Sequence, residues 1–143
     1  MIKDELDILF LTCDIFFEAR CQSEIGKIAA AYVVINRIND NKNRWPKTIY
    51  GVLDQNKQFS WHNDLSINAF FDILYNEPLA YLECQIIAKK VLNNIVDDPT
   101  SSIGGANHYH AIWLNTPPKH YLNAKKVIGF EEIVLDEHVF YRL

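Results

Sequence analysis

EIGKIAAAYVVINRIN, residues 24–39, is the stretch on which the fold turns. Its VVI core alone would serve in a strand. Its length and Ala-rich start favour a helix instead. Ser23 sits where an N-cap belongs, one residue before the segment opens. The segment is apolar nearly all round, which predicts a central helix covered on every side.

Upstream, residues 4–20 predict a first helix. Asp4, Glu5 and Asp7 fall in its first turn, where the positive end of the helix dipole favours acids. Ile8, Leu11, Ile15 and Ala19 recur at helical spacing. Downstream, NDNKNRWPK (39–47) reads as a loop by its Asn and Pro content. TIYGVLD (48–54) makes a short turn or helix, and QNKQFSWHND (55–64) an exposed polar loop. Two more helices are expected at 65–75 and 79–96, with Pro78 at the start of the second. DDPTSSIGGAN (97–107) is a turn-rich loop. The pattern then becomes aromatic and β-branched in HYHAIWL, KKVIGF and HVFYRL, which predict short strands of a small antiparallel sheet. The fold class is α+β, mainly helical with a small C-terminal sheet.

The 143 residues predict one domain, 1–143, able to bury a core without staples. With 49% hydrophobic and 22% charged residues the composition is that of an ordinary globular protein. A net charge of −4 argues against a nucleic-acid partner, which would need a basic stripe. The cysteines, Cys13, Cys21 and Cys84, are odd in number and lack metal spacing, so reduced thiols are expected. The acidic N-terminus MIKDELD does not read as a secretory signal. The longest apolar run, Ile28 to Ile35, is far short of the ~20 residues of a membrane span. Synthesis in a cytosol without membrane insertion is the expectation.

The first helix ends on FFEAR, residues 16–20. A carboxylate there either faces water, pairs with Arg20, or serves as a proton donor. For the last role its pKa must rise above the ordinary value, and apolar burial beside Phe16 and Phe17 would raise it. Asp14, four residues earlier, would add a like charge on the same face. Arg20 would oppose both if it paired.

The order of short motifs is more specific. EAR (18–20), VVINRI (33–38), WPKTI (45–49), QFSW (58–61), DPT (98–100), GAN-HYH (105–110) and HVFY (138–141) resemble the cell wall hydrolase family of SleB-like spore cortex-lytic enzymes. The resemblance spans residues 14–141. It implies a lysozyme-like fold, similar to goose-type lysozyme and soluble lytic transglycosylases. It also implies cleavage of peptidoglycan between N-acetylmuramic acid and N-acetylglucosamine, with Glu18 as the catalytic acid. The family often reads EARGE where this chain has EARCQ, so a second carboxylate at position 22 is absent. A single acid suffices under lytic transglycosylation, one of the substrate-assisted exceptions to two-carboxylate glycosidases. Transglycosylation is therefore favoured over hydrolysis, with Asp64, Asp97 and Asp98 left as possible second acids.

Sugars need aromatic faces and fixed polar partners. Gln58, Ser60 and Trp61 supply both, whereas Phe59 serves equally well as a core plug and WPKTI as a loop anchor. Tyr109, His110 and Tyr141 are candidates for the groove, with His138 bracing it; each could equally be a structural polar group. His108 and His110, two apart on a strand, face one side and suggest a zinc amidase as rival. No HEXXH accompanies them, His120 and His138 lie apart, and no cofactor is expected. A non-catalytic wall-binding domain is the second rival. The expected partner is the glycan strand, met by a monomer. The missing export signal points to a phage endolysin or a virion-borne enzyme acting on the bacterial wall.

Overall fold

The computed structural model describes residues 4–55, 67–113 and 132–143. Helices α1 (Glu5–Ala19), α2 (Glu24–Ile38), α3 (Ile49–Asp54), α4 (Ile67–Asn76) and α5 (Pro78–Leu92) precede strands β1 (His108–Ala111), β2 (Glu132–Leu135) and β3 (His138–Tyr141). The architecture is the expected α+β one. No described helix is long and apolar enough to cross a membrane.

The helix starts follow the capping residues. Asp4 accepts a hydrogen bond from Asp7 N at 2.8 Å, and Ser23 accepts from Gly26 N at 3.2 Å. Both satisfy a backbone donor that the first turn leaves open. Helix α2 is central, with Ile28 to Ala31, Val33 and Val34 all buried. Leu11, Ile15 and Phe16 of α1, Val52 and Leu53 of α3, and Cys84, Ile87 and Val91 of α5 share its main core. Each large apolar side chain so buried contributes roughly 1.5–3 kcal/mol. Cys13, Cys21 and Cys84 are free thiols; burial pushes Cys13 up to about 12 and Cys84 up to about 11.

One end expected from the sequence shifts, and for a local reason. Helix α5 stops at Leu92 instead of continuing to 96. Asn94 takes a left-handed φ of 56°, and Ile95 N donates to Lys90 O at 2.9 Å while Asn94 N donates to Val91 O at 3.2 Å. That reciprocal pair is a Schellman stop, with Asn in the place usual for Gly. The expected KKVIGF strand lies outside the described residues. The second strand that the structure does show is EIVL (132–135), joined to β3 by a turn at Asp136 (φ 54°).

The sheet order is β1-β3-β2, antiparallel throughout. His108 pairs with Tyr141, Tyr109 with Phe140, and His110 with Val139. Directly opposed residues share a face. Tyr109, Phe140, His138 and Leu135 therefore point one way, and Phe140, Tyr109 and Leu135 pack on Ala29 and Val33 of α2. His108, His110 and Tyr141 point the other way. Tyr109 also packs against the main helical core, so it joins the sheet to the helices.

The β2–β3 turn meets α2 closely. A Cβ on Gly26 would lie 2.3 Å from Asp136 Oδ2 and 3.1 Å from Gln22 Cβ. Gly26→Ala should therefore destabilise by about 1–3 kcal/mol through overpacking, despite the better helix propensity of Ala. A urea midpoint equal to or above wild type would show that the turn has room to move.

Candidate active site

Glu18 lies in the last turn of α1 and is half-buried. Arg20 does not pair with it. Its guanidinium sits 4.8 Å from the Phe16 ring centroid, and its Nε lies 3.3 Å from Glu77 Oε2. Burial raises the Glu18 pKa above its ordinary value of 4.5, and the Tyr109 hydroxyl pulls it partly back. Burial penalises the ionised form, while a hydroxyl donor favours it. Tyr109 Oη is itself buried and meets no atom in full hydrogen-bond geometry, so its contact with Glu18 is a loose one. Such contacts tighten when substrate closes a site.

Burial, then the charges of Glu18 and Asp14, push the Tyr109 hydroxyl well above 10. It therefore remains a donor wherever Glu18 titrates. Asp14 is fully buried one turn deeper on α1, and its charge acts on Tyr109, Cys13 and Arg37. Arg37, only 5% exposed, donates from Nε to Asn107 O at 2.8 Å and lies 5.2 Å from the Trp45 ring centroid. Burial lowers its pKa, and Tyr109, Asp14 and Tyr141 oppose that. A buried cation thus acts on Tyr109, where it partly offsets the effect of burial. The sequence reading missed Arg37; its one local signal is a lone Arg in the apolar VVINRI turn.

The remaining candidates divide by location. Tyr141 is buried, with His108 stacked on it at 5.3 Å and 19° and His110 at 6.0 Å, on the sheet face opposite Tyr109. His110 Nδ1 meets Ala111 O at 2.9 Å, and His108 Nδ1 meets Asn107 Oδ1 at 2.7 Å. His138 is buried edge-on to Tyr109 at 5.1 Å, and burial lowers its pKa. Trp45 is an anchor, flanked by Arg37, Arg44 at 4.6 Å and His108 at 5.7 Å. Asp98 holds the 97–107 loop by accepting from Asn36 Nδ2 at 2.9 Å and Thr100 N at 2.8 Å, and Asp97 is exposed. Gln58, Ser60 and Trp61, with Phe59, Asp64 and His120, lie outside the described residues. Among the described residues no three His, Cys, Asp or Glu side chains gather as a metal site would require.

Tyr109→Phe tests the electrostatics. Without the hydroxyl the ionised form of Glu18 loses its donor, so Glu18 should titrate higher. A reaction that needs the protonated acid falls as pH rises through that pKa. The alkaline limb of kcat/KM should therefore move to higher pH in the variant. A limb that stays in place or moves to lower pH would contradict the assigned contact.

The half-buried acid therefore stands at a helix end, with a small antiparallel sheet packed on the helical body. The chain belongs to the Cell Wall Hydrolase family, whose match covers residues 21–141 and so begins three residues after Glu18. It is an enzyme of cell-wall breakdown. The fold is similar to that of the catalytic domain of the germination-specific lytic transglycosylase SleB from Bacillus anthracis. That pair has 21% identity and a TM-score of 0.65, over 98% of this chain and 97% of that one. It is also similar to the catalytic domain of the Bacillus cereus SleB protein, with 19% identity and a TM-score of 0.66 over 99% and 93%. No curated protein matches the chain by sequence.

Proposed function

We propose that the protein cleaves the bond between N-acetylmuramic acid and N-acetylglucosamine in peptidoglycan by lytic transglycosylation, with Glu18 as both acid and base. The supporting observation is the half-buried carboxyl of Glu18, whose pKa is raised by burial and tempered by Tyr109. Asp14 is fully buried and so out of reach of a sugar.

Protonated Glu18 gives its proton to the glycosidic oxygen as the muramic C1–O bond breaks, freeing the glucosamine 4-hydroxyl. The muramic N-acetyl group stabilises the cation at C1. Glu18, now ionised and facing the Tyr109 hydroxyl, takes the proton of the muramic C6 hydroxyl, whose oxygen bonds to C1. A 1,6-anhydro end forms, no water is consumed, and Glu18 is protonated again. One group serving in both directions needs a pKa near the working pH. Opposed shifts from burial and Tyr109 favour that balance. Gln58, Ser60 and Trp61 remain the proposed sugar contacts, with His110 on the sheet and Tyr109 facing Glu18; Tyr141, expected in the groove, is only 1% exposed and braces His108 and His110 from beneath instead.

Mass analysis of released muropeptides tests this reading. Ends lighter by one water, as anhydro sugars are, are expected; reducing ends throughout would make the enzyme a hydrolase.

A further inference from the structure

The chain between Glu18 and α2 is tied to the tip of the β2–β3 hairpin. Gln22 Nε2 donates to Glu137 Oε2 at 3.1 Å, and Glu137 N donates to Gln22 Oε1 at 3.0 Å. The same turn receives Ser23: Ser23 N and Ser23 Oγ donate to Asp136 Oδ2 at 2.9 and 2.6 Å. Glu137 O in turn accepts from Ile112 N at 2.8 Å, just past the end of β1. Gln22 N donates to Ala19 O at 2.9 Å, so the latched residue grips the end of α1 directly. One short path therefore connects the helix turn that carries Glu18 to the strand that carries Tyr109.

Helix ends fray, and Glu18 occupies one. A displacement of ~1 Å at a reacting group can cost on the order of 100-fold in rate. We propose that Gln22 and Glu137 are positioning residues: their reciprocal amide–carboxylate pair fixes the last turn of α1 against the β1–β3 sheet and so sets the Glu18–Tyr109 gap. The pair suits this task because each residue both donates and accepts across it. The inference rests on the reading of Glu18 as the acid.

The test is a swap series assayed for kcat and KM on solubilised glycan strands, with circular dichroism to confirm folding. Gln22→Glu sets two carboxylates against each other and removes the side-chain donor. It should lower kcat about 10-fold with KM within about twofold, in line with the loss of alignment rather than of binding. Glu137→Gln keeps an acceptor for Gln22 and should stay within about twofold of wild type. The double swap, Gln22→Glu with Glu137→Gln, restores one donor and two acceptors across the pair and should recover kcat to within about threefold. Gln22→Ala, which removes both bonds without adding charge, should lower kcat several-fold and gives the answer should Gln22→Glu fail to fold. Wild-type kcat in Gln22→Ala and Gln22→Glu would overturn the latch, as would a double swap no better than Gln22→Glu. Glu18→Gln run alongside separates the two readings. If it is inactive while the Gln22 variants match wild type, only the latch falls; if it is active, the assignment of Glu18 falls and the latch with it.

Discussion

Glu18→Gln should lower the release of soluble fragments from peptidoglycan at least ~100-fold, the loss usual for a positioned acid, with the fold retained. Gln is close to isosteric with Glu and can still accept from Tyr109, but it has no proton to give. The same substitution should change stability in a pH-dependent way. Burial raises the Glu18 pKa in the folded protein above 4.5, so the native state holds this proton more tightly than the unfolded chain does. The stabilising contribution of that proton is fully present below the unfolded pKa and is lost as pH rises through the folded one. Once pH has risen through the folded pKa, the wild-type fold therefore carries the cost of an ionised, half-buried carboxylate that Gln removes. The Tm advantage of Glu18→Gln should grow from pH 4 to pH 7, the mark of an active site that trades stability for chemistry. Activity near wild type would remove Glu18 from the reaction.

The second large effect is expected at Arg37. Arg37→Met leaves Asn107 O without its 2.8 Å donor and takes the cation from beside fully buried Asp14. Removing one member of a buried ionic cluster costs about 3–5 kcal/mol, because the remaining charge stays desolvated. The urea midpoint should fall accordingly, and adding Asp14→Asn should recover part of the loss through coupling between neighbours. Arg37→Lys should recover little, since an ammonium cannot reproduce a guanidinium lying against Trp45 while donating from Nε. An unchanged midpoint in Arg37→Met would show that the cluster carries no net stability.

What could be read in the sequence was local. Ser23 marked the start of α2 because a capping oxygen acts within three residues, and the acids at 4, 5 and 7 marked that of α1 through the helix dipole, although Asp4 proves to be the cap itself. The apolar run after Ser23 identified α2 because a helix buried all round needs no polar face. Glu18 stood out because an acid after two phenylalanines conflicts with its surroundings unless it has work to do. What escaped was non-local or lacked a turn signal. Arg20 turns to Glu77, far along the chain, so no spacing rule could have assigned that pair. Asp14 does lie on the same helix face as Glu18, yet its charge bears on Arg37 of α2 and Tyr109 of β1, while burial and Tyr109 set the Glu18 shift. Strand β2 is four residues long, and its turn, Asp-Glu, lacks the glycine that usually announces a hairpin. The lone Arg in VVINRI became meaningful only once the fold brought Asn107 and Trp45 to it.

The central claim is that one carboxyl at the end of α1 holds its proton longer than a solvated glutamate would. Carbon-13 NMR titration of the side-chain carboxyls, with Glu18→Gln to assign the resonance, measures this directly. The Glu18 midpoint is expected above 4.5, and higher still in Tyr109→Phe. A midpoint at or below 4.5 would contradict the claim.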